Sequence, residues 1–112
     1  MDKTAAITIF ESLASSVRLD VFRLLVERGP QGLVAGDIAA ALELPATNLS
    51  FHLKALTQSG LLAVTQEGRF QRYRANMSLM AELIGYLTDE CCGGNPGACL
   101  SGAAMAACTD CD

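Results

Sequence analysis

All five cysteines of this 112-residue chain fall at or beyond position 91. Cys91 and Cys92 are adjacent, Cys99 follows after six intervening residues, and Cys108 and Cys111 form a Cys-x-x-Cys pair. Five thiols gathered in one stretch are not core filling. Gly93-Gly94 lets a helix stop, and Asn95-Pro96-Gly97 is a strong turn signal that brings Cys99 back. Adjacent helical residues diverge by about 100° around the axis, so Cys91 and Cys92 grip one atom only where the helix ends at them. The spacing points to three thiols, Cys91, Cys92 and Cys99, converging on one centre. Three soft sulfurs without a nitrogen ligand suit a soft, three-coordinate guest. As(III) or Sb(III) fits, bound as a trigonal pyramid whose lone pair fills the fourth position. A closed tetrathiolate zinc or cadmium site that recruits Cys108 or Cys111 is the strongest chemical rival. Thiol oxidation, with no metalloid at all, is a second.

These thiols need a body to act on. The chain is long enough for one domain with one core. Apolar residues make up 51%, aromatic residues 5%, and there is no Trp. That composition excludes a disordered chain. No apolar run approaches the roughly 20 residues of a membrane span. The start, Met1-Asp2-Lys3-Thr4-Ala5-Ala6, has no basic flank leading into a long apolar stretch, so no signal peptide is expected. The expectation is a cytoplasmic protein with reduced cysteines and no membrane partner.

The net charge of −4 hides an uneven distribution. Between Pro45 and Arg74 stand Lys54, Arg69, Arg72 and Arg74 against Glu67 alone. From Ala75 onward there is no Lys or Arg, only Glu82, Asp89, Glu90, Asp110 and Asp112. A basic segment in an acidic chain fits a protein that touches phosphates with one face.

The pattern along the chain predicts five helices and a hairpin, mainly α with a small β-hairpin. Ile9, Phe10 and Leu13 space a short amphipathic helix. Ser15 or Ser16 caps a second, with Val17, Val21, Leu24 and Leu25 as its stripe, and Gly29-Pro30 stops it. A third, Ala-rich helix is expected over Val34–Glu43. After Leu44-Pro45 a fourth runs from about Ala46 to Ser59, with Leu49, Leu53 and Leu56 on its core side. Leu61–Thr65 and Phe70–Arg74 are expected strands, with Glu67-Gly68-Arg69 at the hairpin tip. Phe70 and Tyr73 are both expected in the core. Asn76 caps a fifth helix through Glu90, whose apolar residues form two adjoining faces: Met77, Met80, Ile84 and Leu87, then Leu79, Leu83 and Tyr86. A small domain cannot cover both, so this helix is a candidate dimer interface. Two helices joined by a tight break before a hairpin form a winged helix-turn-helix pattern. Residues 1–90 are assigned to this DNA-binding and dimerisation domain, and 91–112 to a cysteine-rich sensor tail.

The outer face of the fourth helix offers Thr47, Asn48, Ser50, Phe51 and Lys54. Hydroxyl and amide groups at a helix N-terminus suit base edges and phosphates. His52 is the only histidine, and local packing competes with phosphate contact for its role. No Ser/His/acid trio, phosphate-cradling Gly loop or paired-His metal set stands out, so an enzyme is not expected.

Ser50-Phe51-His52-Leu53-Lys54-Ala55-Leu56, Ser59-Gly60-Leu61-Leu62 and Glu67-Gly68-Arg69-Phe70-Gln71-Arg72-Tyr73-Arg74 resemble the ArsR/SmtB family of bacterial winged-helix repressors. Ala14-Ser15-Ser16-Val17-Arg18-Leu19 resembles the opening of that family's second helix. The resemblance covers about residues 10 to 90. It implies a homodimer on an inverted repeat of operator DNA, repressing its operon until an effector releases it. It also implies phosphate contact by His52 and DNA contact by Arg69 and Arg72 of the wing. Two familiar sensor sites of the family are missing. Leu33–Ile38 holds no Cys-x-Cys, and Met77–Glu90 holds no His. The tail resembles an arsenic-responsive subgroup built on a vicinal cysteine pair beyond the last helix.

Overall fold

The computed structural model describes residues 1–89, and the elements follow from local chemistry. Helix α1, Lys3–Leu13, begins where the Asp2 carboxylate accepts from the Ala5 N–H at 2.8 Å, and it buries Ala6 and Ile9. Helix α2, Ser16–Arg28, is capped by the Ser15 hydroxyl and buries Val21, Phe22 and Leu25. It stops at Gly29, whose φ of 70° lets its N–H close back on Leu25 and Val26.

A short 3₁₀ turn, Gly29–Gln31, then leads to Gly32. At Gly32 φ is 59°, and an added Cβ would run into the Tyr73 carbonyl and the Arg74 side chain. Only glycine lets the turn approach the sheet this closely.

Here the fold departs from expectation. Leu33–Val34 form a strand, β1, and helix α3 occupies Ala35–Leu42 instead of starting at Val34. Val34 has extended backbone angles, φ −78° and ψ 158°. The strand is too short for any two-residue periodicity to announce it, and it exists because Gly32 brings it against the wing. Helix α4, Ala46–Gln58, follows Pro45 after a break in which Glu43 adopts the left-handed conformation at φ 54°.

Strands β2, Leu62–Glu67, and β3, Phe70–Ala75, pair antiparallel with Glu67 opposite Phe70. The two-residue turn uses Gly68 at φ 60°. The result is a three-stranded antiparallel sheet of order β1-β3-β2, one strand more than the expected hairpin. Helix α5, Met77–Leu87, ends short of Glu90. Asn76 anchors it: its side-chain oxygen accepts from Leu79 N–H at 3.2 Å, and its side-chain amide donates to Gly60 O at 2.9 Å.

One core joins all five helices and the sheet: Ile9, Val21, Leu25, Ile38, Leu49, Leu53, Leu56, Leu61, Tyr73 and Leu83 are buried within it. The predicted seam of α4 is entirely inside. The predicted double face of α5 divides: Leu83 is buried, Leu79 and Met80 pack against the core, and Met77, Ile84, Tyr86 and Leu87 remain exposed.

Candidate nucleic-acid interface

The helix-turn-helix is α3 and α4, and the wing is β2–β3. Three inward leucines lock α4 against α2 and α3, so its opposite side is presented outward. Thr47, Asn48, Ser50, Phe51 and Lys54 are all exposed there. Pro45 provides no side-chain cap, so the first backbone N–H groups of α4 have no capping side chain. Orphan donors with hydroxyl and amide side chains form a surface suited to phosphate oxygens and base edges.

His52 is half-buried on the flank of α4. Its Nδ1 lies 3.3 Å from Nη1 of Arg18, and Arg18 Nε donates to Ser12 O at 2.6 Å. A guanidinium has no acceptor, so Nδ1 accepts and the ring proton of a neutral His52 sits on Nε2. Nε2–H makes no hydrogen bond among the described residues. His52 is therefore both locally held, through one nitrogen, and able to donate through the other. Arg18 is the residue of this candidate site that sequence reasoning did not single out. Its position is 34 residues from His52, and only the packing of α2 on α4 reveals the pair.

The wing cations differ from one another. Arg72 is half-neutralised: its Nε lies 3.0 Å from both carboxylate oxygens of Glu67, and its Nη1 donates to Gln31 O at 3.1 Å. Arg74 donates to Pro30 O at 2.8 Å and Thr65 Oγ1 at 3.0 Å, fastening the sheet to the 3₁₀ turn. Arg69, in the tip, has no ion pair or side-chain hydrogen bond among the described residues.

Phe70 is not in the core. It is 62% exposed, while Tyr73 is buried. An odd separation of three residues puts the two rings on opposite faces of β3. The Tyr73 hydroxyl donates to Gln71 at 3.0 Å, and burial pushes its phenol above its ordinary value.

Between α4 and the wing lies an open groove of about 590 Å³, lined by Ser50, Phe51, Lys54, Thr57, Gln58, Val64, Gln71 and Tyr73. It joins the outward face of α4 to the sheet as one continuous surface. Among the described residues no group of three or more His, Cys, Asp or Glu side chains could hold a metal ion. Cys91, Cys92, Cys99, Cys108 and Cys111 lie outside the described residues.

Residues 13–65 match a helix-turn-helix domain family. The chain is 35% identical over 75 residues to the arsenical resistance operon repressor of Escherichia coli K12. That match covers 67% of this chain and 62% of the relative's length. Among solved structures, an ArsR-like transcriptional regulator from Rhodococcus superposes with a TM-score of 0.67 at 25% identity, covering 75% of this chain and 76% of its own. The fold is a winged helix-turn-helix, similar to that of these regulators. The homodimeric winged helix-turn-helix DNA-binding domain of a possible ArsR-family regulator from Mycobacterium bovis agrees, with a TM-score of 0.61 at 27% identity over 78% of this chain and 81% of that one. So does HlyU from Vibrio cholerae, at 0.62 and 27% over 78% of this chain and 97% of that one. The fold and the proteins it resembles are those of transcription regulators, not enzymes. No described helix is long and apolar enough to cross a membrane.

Proposed function

We propose that the chain is a homodimeric repressor that reads an inverted repeat in duplex operator DNA and is released by As(III) or Sb(III). The observation that carries the DNA reading is the outward face of α4, polar and exposed opposite a buried leucine seam. That face is continuous with a wing whose tip presents Arg69, which has no ion pair among the described residues. Thr47, Asn48, Ser50 and Lys54 meet base edges and phosphates in the major groove, while Arg69 reaches the flanking backbone. His52 gives its Nε2–H to a phosphate, with Arg18 fixing the ring. Arg72 contributes a weaker contact, since Glu67 already shares its charge.

Dimerisation supplies the second half-site. Met77, Ile84 and Leu87 of α5 stay exposed in the single chain, and a second copy covers them. Two recognition helices about one DNA turn apart then match a two-fold symmetric operator.

The effector reading rests on Cys91, Cys92 and Cys99 and on the arsenical resistance repressor among the relatives. Cys91 follows Leu87, the last residue of α5, by four positions. Three thiolates around one As(III) couple this end of the dimer helix to the bound ion. Release requires only that the ion bind the DNA-free arrangement more tightly, by about 1–3 kcal/mol or more. A second reading, a thiol redox switch, draws on the clustered cysteines and on a reduced form of HlyU among the neighbours, at TM-score 0.60 and 26% identity over 75% of this chain and 88% of that one. A Zn(II) or Cd(II) site using Cys108 or Cys111 is separated from both by its ion.

The test is protection of promoter DNA by the reduced protein, read by footprinting. The expected pattern is two-fold symmetric protection that arsenite removes. Cys99→Ser should protect the same site and keep protecting it in arsenite. Full arsenite release from Cys99→Ser would overturn the three-thiol site.

A further inference from the structure

Phe51 is 69% exposed, more than any other large apolar side chain among the described residues. It is not at a frayed end or in a loop but in the middle of α4. At about 100° per residue it lies about 140–160° around the axis from each of Leu49, Leu53 and Leu56. Phe51 therefore marks the centre of the outward face, with Thr47, Asn48 and Lys54 within about 60° on either side. Its ring stands edge-on to His52, centroids 5.7 Å apart at 78°, so the residue held by Arg18 also steadies the phenyl group. It also forms part of the wall of the groove toward the wing.

A phenyl ring has no donor or acceptor, so it cannot read the hydrogen-bonding pattern of a base pair. The major-groove edge of unmodified DNA offers one apolar group, the 5-methyl of thymine. We propose that Phe51 is a specificity residue that packs on a thymine 5-methyl group in each operator half-site. This rests on the DNA-binding reading above and extends it to a named base. Asn48 and Lys54 hydrogen-bond to neighbouring positions, and Phe51 covers the methyl between them. Burying one methyl group is worth about fourfold in affinity, or about fifteenfold for the two half-sites of a dimer.

The test uses a duplex enriched by the wild-type protein from a random library. Each thymine of that duplex is replaced in turn by deoxyuridine, which removes only the methyl group. The wild-type protein should lose about fourfold at one thymine per half-site. Phe51→Ala should bind the parent duplex more weakly and show no further loss at that position. Phe51→Leu, which keeps an apolar surface, should retain part of the discrimination. An unchanged thermal melt separates these effects from misfolding. Specific wild-type binding that is indifferent to every thymine methyl would overturn the proposal and leave the DNA reading standing. A Phe51→Ala protein with the wild-type thymine preference would do the same. Failure to enrich any sequence would remove the DNA reading itself, and the proposal with it.

Discussion

Arg18 Nη1 stands 3.3 Å from His52 Nδ1, while Nε of the same guanidinium holds the Ser12 carbonyl at the end of α1. One side chain thus ties the end of the first helix to the flank of the recognition helix. Arg18→Ala should cost about 1–2 kcal/mol of stability, since it removes two hydrogen bonds from a charged donor in a half-buried place. Arg18→Lys should not restore both, because an ammonium lacks the planar fork. Urea unfolding measures the stability. In DNA binding, Arg18→Ala and His52→Ala should lose similar amounts, and the double variant should lose little more than either. Additive losses would show that Arg18 does not act through His52.

The wing cations should separate in salt. Arg69→Ala should weaken binding to all sequences alike and flatten the logarithmic salt slope by about 0.9 for each phosphate it no longer neutralises. Arg72→Ala should change the slope less, because Glu67 already pairs with it. Glu67→Gln should strengthen binding by freeing Arg72. Affinities measured across a series of salt concentrations distinguish the three.

Dimerisation should fail before folding does. Ile84→Glu and Leu87→Glu place charges on the side of α5 that the single chain leaves exposed. Both variants should keep a wild-type helical signal yet elute as monomers with light scattering, and both should lose operator binding. A dimer persisting in both variants would move the interface elsewhere.

The core and the outward face of α4 should respond oppositely to truncation. Leu53→Ala should cost about 2–5 kcal/mol, because Leu53 is buried in the shared core. Lys54→Ala should stay within about 0.5 kcal/mol while weakening DNA binding. Gly32→Ala should destabilise more than a surface change. Its positive φ and the Tyr73 carbonyl both oppose a side chain there.

Much of this is legible in local signals. Ser15, Gly29 and Asn76 bound their helices as expected because capping is decided within a few residues. The Leu49, Leu53 and Leu56 seam is legible because a helix writes its buried side as a period. What stays hidden depends on distant chain. Strand β1 is made by Tyr73 and Arg72, which pair with Leu33 and Val34 from far along the sequence. The Arg18–His52 pair needs α2 and α4 in contact. The expectation for Phe70 fails for a different reason. Apolar character alone suggests the core, but its odd spacing from Tyr73 decides the face. The cysteines, all of them beyond the described residues, are read from sequence chemistry alone.

The central claim is that thiol-bound As(III) or Sb(III) releases this protein from DNA. Fluorescence anisotropy of the reduced protein on its promoter duplex, titrated separately with arsenite, antimonite, zinc and cadmium, tests it most directly. Release by arsenite and antimonite at near-stoichiometric levels, with zinc inert, is the predicted result. Release by zinc or cadmium alone, with arsenite inert, would contradict it and assign the cysteines to a four-ligand metal site.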